Sequence, residues 1–155
     1  VRESWRIQCP ADALWLGGCA RRFAEEQGFP GEDPSRIGLA VSELVNNVLK
    51  YAGLGRLVLE LDEAEPDLLV IVVEDEGAGI QDLPTALQDG VSEGRRVSGA
   101  AGQVAGRRGL GCGLGAVQRL MDGVEISNRP EGGVRIRATK RRVRGRWPGR
   151  SAQEG

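Results

Sequence analysis

The most regular apolar pattern in the chain lies at Ile37, Ala40, Val41, Leu44, Val45 and Val48. Steps of three and four put these residues on one stripe of a helix. Asp33-Pro34 suits its start, with Asp33 as N-cap and Pro34 as the first helical residue, and Gly53 to Gly55 breaks it. An earlier helix is predicted over residues 12–27, with Leu16, Cys19, Ala20 and Phe23 on one face and Gly28 as its stop. Gly17 and Gly18 count against that helix, since glycine is a poor helix former. Trp5 and Ile7 alternate with polar neighbours in a short first strand over 4–8. Leu57, Leu59 and Leu61 alternate as a half-buried strand, and residues 68–74 read as a fully apolar one. The polar turn 62–67 joins these two as a hairpin at the centre of a sheet. A last helix is predicted over 113–121 with Val117, Leu120 and Met121 inward. Closing strands follow at 124–127 and 134–139, joined by a turn from Pro130 to Gly133.

Between Gly77 and Gly115 this pattern gives way. Eleven of those 39 residues are glycine, with room only for a short helix near Leu83 to Gln88. Over the whole chain glycine is 24 of 155 residues, about twice the usual share. Such backbone turns tightly or approaches a ligand closely. The 155 residues fit one domain, and aromatics at 4% make its core aliphatic. Histidine is absent, which excludes a histidine base, a histidine metal ligand and an autophosphorylating histidine kinase. Cys9, Cys19 and Cys112 are far apart and odd in number, so neither a disulfide framework nor a zinc site is expected. The longest apolar run, Leu68 to Val73, is far too short for a membrane span, and nothing reads as a signal peptide. The expected location is a reducing cytoplasm.

Lys+Arg total 21 and Asp+Glu 22, a formal net charge of -1. A nucleic-acid binder shows a basic excess, and none is present. The charge is unevenly placed. Residues 140–150 hold six cations and no acid, which leaves residues 1–139 with 15 basic and 21 acidic side chains, net -6. The segment 141–155 is therefore expected to be a disordered basic tail, or an arm for an acidic partner.

Three clusters carry candidate chemistry. Glu43, Asn47 and Lys50, spaced i, i+4, i+7, share the helix face opposite the apolar stripe, with Asn46 beside them. Adjacent asparagines are poor helix formers, and an amide oxygen is a hard ligand suited to Mg²⁺. Next, Glu74-Asp75-Glu76-Gly77-Ala78-Gly79-Ile80 delivers a carboxylate from a buried strand into a glycine turn. Asp75 could accept a hydrogen bond from a base edge, with a flat ring lying against the glycines. Third, Arg107-Arg108-Gly109-Leu110-Gly111-Cys112-Gly113-Leu114-Gly115 leads alternating glycines into a helix. Bare N–H groups in such a run suit phosphates, and the arginines add positive charge. Taken singly, each cluster is also compatible with a helix surface, a turn or a linker.

Their order and spacing are more specific. Glu–x3–Asn on a helix, DxGxG after a strand and GxGxGL before a helix, within 73 residues, resemble the ATPase/kinase superfamily of histidine kinases, type II topoisomerases and mismatch-repair ATPases. The stretches Ser42-Glu43-Leu44-Val45-Asn46-Asn47, Glu74 to Ile80, Asp89-Gly90-Val91-Ser92 and Leu110 to Asp122 look most similar to the RsbT-type switch-protein serine/threonine kinases, near relatives of the anti-sigma factor kinases. The resemblance covers about residues 5–140. It implies an α/β fold, the two-layer α/β sandwich of histidine-kinase-type ATPases (the Bergerat fold), with a mixed sheet on about three helices. It also implies an ATP-binding kinase domain over 1–140, with ATP and Mg²⁺ as cofactors.

By that resemblance Asn47 coordinates magnesium, Glu43 accepts the proton of the attacking hydroxyl, and Asp75 recognises the adenine amino group. Gly77 and Gly79 lie beside the base, and Gly109, Gly111 and Gly113 wrap the phosphates. Ile80, Leu110 and Leu114 belong to the same nucleotide-binding motifs, and Lys50, Arg107 and Arg108 are candidate phosphate contacts. Residues 89–108 correspond to a mobile lid, longer here than the family suggests. The family often has threonine in the turn before the last strand, supporting adenine. This chain has Gly132-Gly133, so weaker adenine support is expected, and Thr139 is not expected to substitute.

The leading functional expectation is a Mg-ATP-dependent protein serine/threonine kinase that phosphorylates a STAS-domain antagonist in a partner-switching module. A phosphatase could be a further partner, and a homodimer is compatible with it. The alternative is an anti-sigma factor that sequesters a sigma factor with ATP as ligand. A self-contained ATPase is the third reading, disfavoured by the lack of a further domain.

Overall fold

A five-stranded sheet in the order β1-β2-β3-β5-β4 forms the frame of the molecule. The computed structural model describes residues 1–77 and 114–143. The helix expected near Leu83 to Gln88 and the segment 89–108 lie outside these described residues. The elements are β1 (Arg2–Ile7), α1 (Ala11–Glu26), α2 (Asp33–Tyr51), β2 (Gly55–Leu61), β3 (Leu68–Asp75), α3 (Leu114–Leu120), β4 (Gly123–Asn128) and β5 (Val134–Arg141).

The α/β sandwich is as expected, but the sheet is not mixed. All four described pairings are antiparallel. The connections explain this. β2–β3 and β4–β5 are joined by short turns, which permit only antiparallel pairing. Between β1 and β2 the chain runs out along α1 and back along α2, so it re-enters the sheet from the end it left.

The strand alternation sets the two faces. Ile7, Leu57, Leu59, Leu69, Ile71, Val73, Ile136 and Ala138 join one buried core with Leu16, Ala20 and Phe23 of α1, Ile37, Val41, Leu44 and Val48 of α2, and Leu114 and Val117 of α3. On the opposite face Val58, Val70 and Val72 form a separate small cluster. That explains the unbroken apolar run of β3, because each face of this central strand has its own apolar neighbours.

Gly17, which seemed to weaken α1, is where the two long helices cross. A Cβ there would lie 2.1 Å from Ser42 Oγ, and one on Gly38 would lie 2.8 Å from the Gly17 carbonyl oxygen. Ser42 Oγ donates to the Ala13 carbonyl at 2.9 Å across the same contact. α1 ends as expected at Gly28, which takes φ +80. Its N–H bonds Glu25 O, and the Phe29 N–H bonds Ala24 O, a Schellman closure. The start of α2 differs by one residue from expectation. Glu32 is the N-cap and makes no side-chain cap bond, while Asp33 and Pro34 stand in the first turn. Asp33 Oδ1 instead accepts from Arg36 at 3.1 Å and lies 3.9 Å from Lys140 Nζ.

The basic segment expected to be free from 141 is anchored at its beginning. Lys140 donates to Leu120 O and pairs with Asp122, Arg141 lies in β5 and pairs with Glu65, and Arg142 holds Asp67 and the Gln27 carbonyl. Acidic residues at this edge of the sheet capture the first cations of the run. Among the described residues no helix is long and apolar enough to cross a membrane.

Candidate functional site

The end of β3 that carries Asp75 is where the sequence placed its carboxylate, and several elements converge there. Gly55 stands opposite Asp75 in the β2–β3 register. A Cβ on Gly55 would lie 2.5 Å from Glu74 O and 2.7 Å from Val48 Cγ1, so only glycine lets α2 lie this close to the strand end. A Cβ on Gly77 would lie 3.1 Å from that of Ala52. The Glu76 N–H donates to Leu54 O at 3.2 Å. Val48 and Ala52 of the α2 terminus therefore flank Asp75-Glu76-Gly77.

This packing brings the α2 face to the same end of the sheet. Asn47 precedes Val48 in the chain and is half-buried, as is Glu43 one helical turn earlier. Asn46 is exposed. Lys50 is exposed too, with Nζ 5.2 Å from the Tyr51 ring centroid, a cation–π distance. Leu114 is 1% exposed and belongs to the core, so its side chain anchors α3 against α2 and only its backbone remains for a ligand. Gly79, Ile80, Arg108, Gly109, Leu110, Gly111 and Gly113 lie outside the described residues.

Among the described residues, the carboxylate of Asp75 is held through Oδ1 alone. Its Oδ1 accepts the Gly77 N–H at 3.0 Å and the Val134 N–H at 2.9 Å. Among the described residues Oδ2 accepts no hydrogen bond. One oxygen is thus fixed by backbone and the other is left as an acceptor, which suits the amino edge of a base.

The Gly132-Gly133 turn changes the meaning of the missing threonine. Gly132 and Gly133 take φ +103 and +88, and a Cβ on Gly133 would lie 2.0 Å from Asp75 O. No side chain fits at position 133 in this conformation. What glycine permits is the close approach that lets Val134 N–H reach the carboxylate. Thr139 stands away from this turn. It pairs with Val70 and Gly123, five residues along β5 from Val134, roughly 17 Å away.

Sequence reasoning missed Arg129. Its Nη1 donates to Asp75 O at 2.7 Å, Nη2 lies 3.8 Å from Glu74, and Nε lies 3.7 Å from Glu131. Glu74 is shared with Arg135, its partner in the β3–β5 register, at 3.8 Å. The available signal was slight: one cation in a turn otherwise built of Pro130, Glu131, Gly132 and Gly133.

The geometry accords with what is found among known proteins. Residues 16–140 match the family described as the histidine kinase-like ATPase domain. The chain is 35% identical over 136 residues to the serine/threonine-protein kinase RsbT of Bacillus subtilis, covering 87% of this chain and 92% of that one. Among solved structures, the SiaB–SiaC complex of Pseudomonas aeruginosa shares the fold with a TM-score of 0.61 at 14% identity, over 88% of each chain. The histidine kinase domain of an Erythrobacter litoralis blue-light-activated kinase does so with a TM-score of 0.50 at 20% identity, over 84% of this chain and 60% of that one. The chain therefore belongs to the histidine kinase-like ATPase family and, within it, is a protein serine/threonine kinase of the RsbT type.

Proposed function

We propose that this kinase transfers the γ-phosphoryl group of Mg-ATP to a serine or threonine hydroxyl of a STAS-domain partner protein. The observation that carries the nucleotide half of this reading is the Asp75 carboxylate, pinned through Oδ1 and, among the described residues, open at Oδ2, at the sheet end against which the C-terminus of α2 packs. The residues present fit the nucleotide. Asp75 Oδ2 offers an acceptor to adenine, and Gly77 lacks the side chain that would crowd a flat ring. They also fit the ion. Asn47 offers one neutral oxygen, and Mg²⁺ characteristically takes one or two protein oxygens plus phosphate.

When bound, Mg-ATP supplies the transferable phosphoryl group and the charge neutralisation that such a transfer needs. The protein's share is positioning. Glu43, one helical turn from Asn47, orients the partner's hydroxyl and accepts its proton. The added phosphate brings about -1.5 to -2 charges to the product, which weakens its hold on a domain whose residues 1–139 are already net -6. The 35% identity to RsbT over most of the chain supports a protein partner rather than free ATP hydrolysis.

Labelled ATP incubated with candidate STAS-domain proteins from the same organism tests the reading. Label is expected on a serine or threonine of one of them. Glu43→Ala should lower transfer by roughly 100-fold or more while ATP still binds. Undiminished transfer by Glu43→Ala, or no transfer by the unaltered protein, would overturn it.

A further inference from the structure

Resting on the reading of Asp75 as the base receptor, we infer that Arg129 is a positioning residue that sets how strongly the pocket prefers adenine over other purines. A guanidinium ordinarily seeks a carboxylate in paired, short contacts. Arg129 does not. It has two carboxylates within reach, Glu74 at 3.8 Å and Glu131 at 3.7 Å, yet its shortest contact, 2.7 Å, is to the backbone oxygen of Asp75. That oxygen belongs to the last residue of β3, immediately before the glycine turn.

The rest of the turn is closed around the same point. Arg129 N–H donates to Gly133 O at 2.9 Å, and Gly132 N–H donates to Arg129 O at 3.1 Å. The next residue, Val134, sends its N–H to Asp75 Oδ1. Side chain and backbone of one turn thus grip both the carbonyl and the carboxylate of Asp75. With the backbone held at its carbonyl and the side chain held at Oδ1, the torsions between them have little freedom, so the direction of Oδ2 is set before any ligand arrives.

Direction matters because the discrimination is chemical. The 6-amino group of adenine donates to a carboxylate, whereas hypoxanthine presents a carbonyl oxygen there, which a carboxylate repels. A carboxylate held in place enforces that difference; one free to turn aside loses affinity for adenine and ceases to reject the carbonyl. With the guanidinium removed, Asp75 O loses this donor, Glu74 keeps Arg135 alone among the described residues, and the strand end is tied to the turn only through the Val134 N–H.

The test compares ATP and inosine triphosphate binding, with Mg²⁺, to the unaltered protein, Arg129→Ala, Arg129→Lys and Asp75→Asn. Arg129→Ala is expected to weaken ATP by roughly tenfold, the scale of one charged hydrogen bond, and inosine triphosphate by no more than about twofold. The preference for ATP therefore falls about fivefold or more. Arg129→Lys, whose ammonium can reach the same carbonyl, should recover part of it. An unchanged ratio in Arg129→Ala overturns the inference. So does equal weakening of both nucleotides, the mark of a purely structural loss. If Asp75→Asn loses ATP while Arg129→Ala keeps the ratio, the role of Arg129 alone fails. If Asp75→Asn binds ATP as before, the base-receptor reading fails and this role with it. Should Arg129→Ala not fold, the ratio is read on Arg129→Gln, whose shorter neutral side chain should also lower it.

Discussion

The two ends of β3 are built from the same residue types and use them in opposite ways. At the Leu68 end, carboxylates and cations satisfy one another. Glu65 pairs with Arg141, Asp67 with Arg142, and Asp122 with Lys140 and the Arg141 N–H. Asp62 turns its Oδ1 to the backbone N–H groups of Ala64 and Glu65. At the Asp75 end the arginine goes to a carbonyl, backbone N–H groups go to one carboxylate oxygen, and among the described residues the other oxygen is left over. The cation-paired acids close structure, and Asp62 closes the β2–β3 turn, whereas Asp75, held through Oδ1, has among the described residues an oxygen left for a ligand. The presence of acidic residues at a sheet end therefore says little; what their oxygens already bind decides whether the end can recognise anything.

The largest effect expected from breaking this contrast is at Gly133. Gly133→Ala places a Cβ 2.0 Å from Asp75 O on a residue at φ +88. Clash and left-handed strain together should cost about 2–4 kcal/mol, lowering Tm by roughly 5–15 °C. ATP affinity should fall as well, since Val134 must move from Oδ1. Gly28→Ala is the control, because Gly28 takes φ +80 but its Cβ would meet only Arg142 Nη1, at 3.9 Å. That variant should lose about 1–2 kcal/mol of stability and no ATP affinity. Thermal melts with and without nucleotide separate the two. Equal ATP affinity in both variants would mean that the turn does not shape the pocket.

A smaller effect is expected at the closed end. Arg142→Ala removes the pair with Asp67 and the bond to Gln27 O, which ties β5 to the end of α1. With the Arg142 side chain 19% exposed, the loss should be about 1–2 kcal/mol, seen in urea unfolding as a lower midpoint with an unchanged slope. ATP affinity should stay within about twofold, because Arg142 follows Arg141, which pairs with Leu68 at the far end of β3 from Asp75. A larger change in affinity would show that the two ends are coupled through the sheet.

How legible these ends were from sequence differs for a physical reason. The α2 stripe and the β2–β3 hairpin could be read because their signals are periodic and local: Ile37 to Val48 at helical spacing, and Leu57, Leu59, Leu61 at strand spacing. Asp75 and Gly77 were legible because strand, acid and glycine follow one another directly. The direction in which β1 pairs with β2 was not, since it depends on α1 and α2 returning together. Gly17 read as a defect because the residues that need its small size, Gly38 and Ser42, are a helix away. Arg129 and the Val134 N–H act on a residue more than fifty positions earlier, one of them through backbone alone, and backbone donors leave no mark in a sequence. The anchored start of the basic tail was hidden for a related reason. A run of cations looks free until the fold brings Glu65, Asp67 and Asp122 beside it.

The smallest expected effect sharpens the contrast within the open end itself. Ile7, at the end of β1, is opposite Gly55, so the segment that follows it lies at the Asp75 end of the sheet. There Asp12 resembles Asp75 in taking its partners from backbone: Oδ2 accepts the N–H groups of Gln8 at 2.8 Å and Cys9 at 3.0 Å. The Gln8 N–H, then that of Cys9, hold its carboxyl below the ordinary value of 3.8. A depressed folded value means that the stabilisation is complete above pH 3.8 and disappears as pH falls through the folded value below it. Asp12→Asn should therefore flatten the acid limb of a Tm-against-pH curve below about pH 4 while leaving ATP affinity at neutral pH unchanged. An acid limb identical to that of the unaltered protein would show that these two bonds contribute nothing. A loss of ATP affinity would place Asp12 with Asp75 as part of the recognition end rather than as a brace for α1.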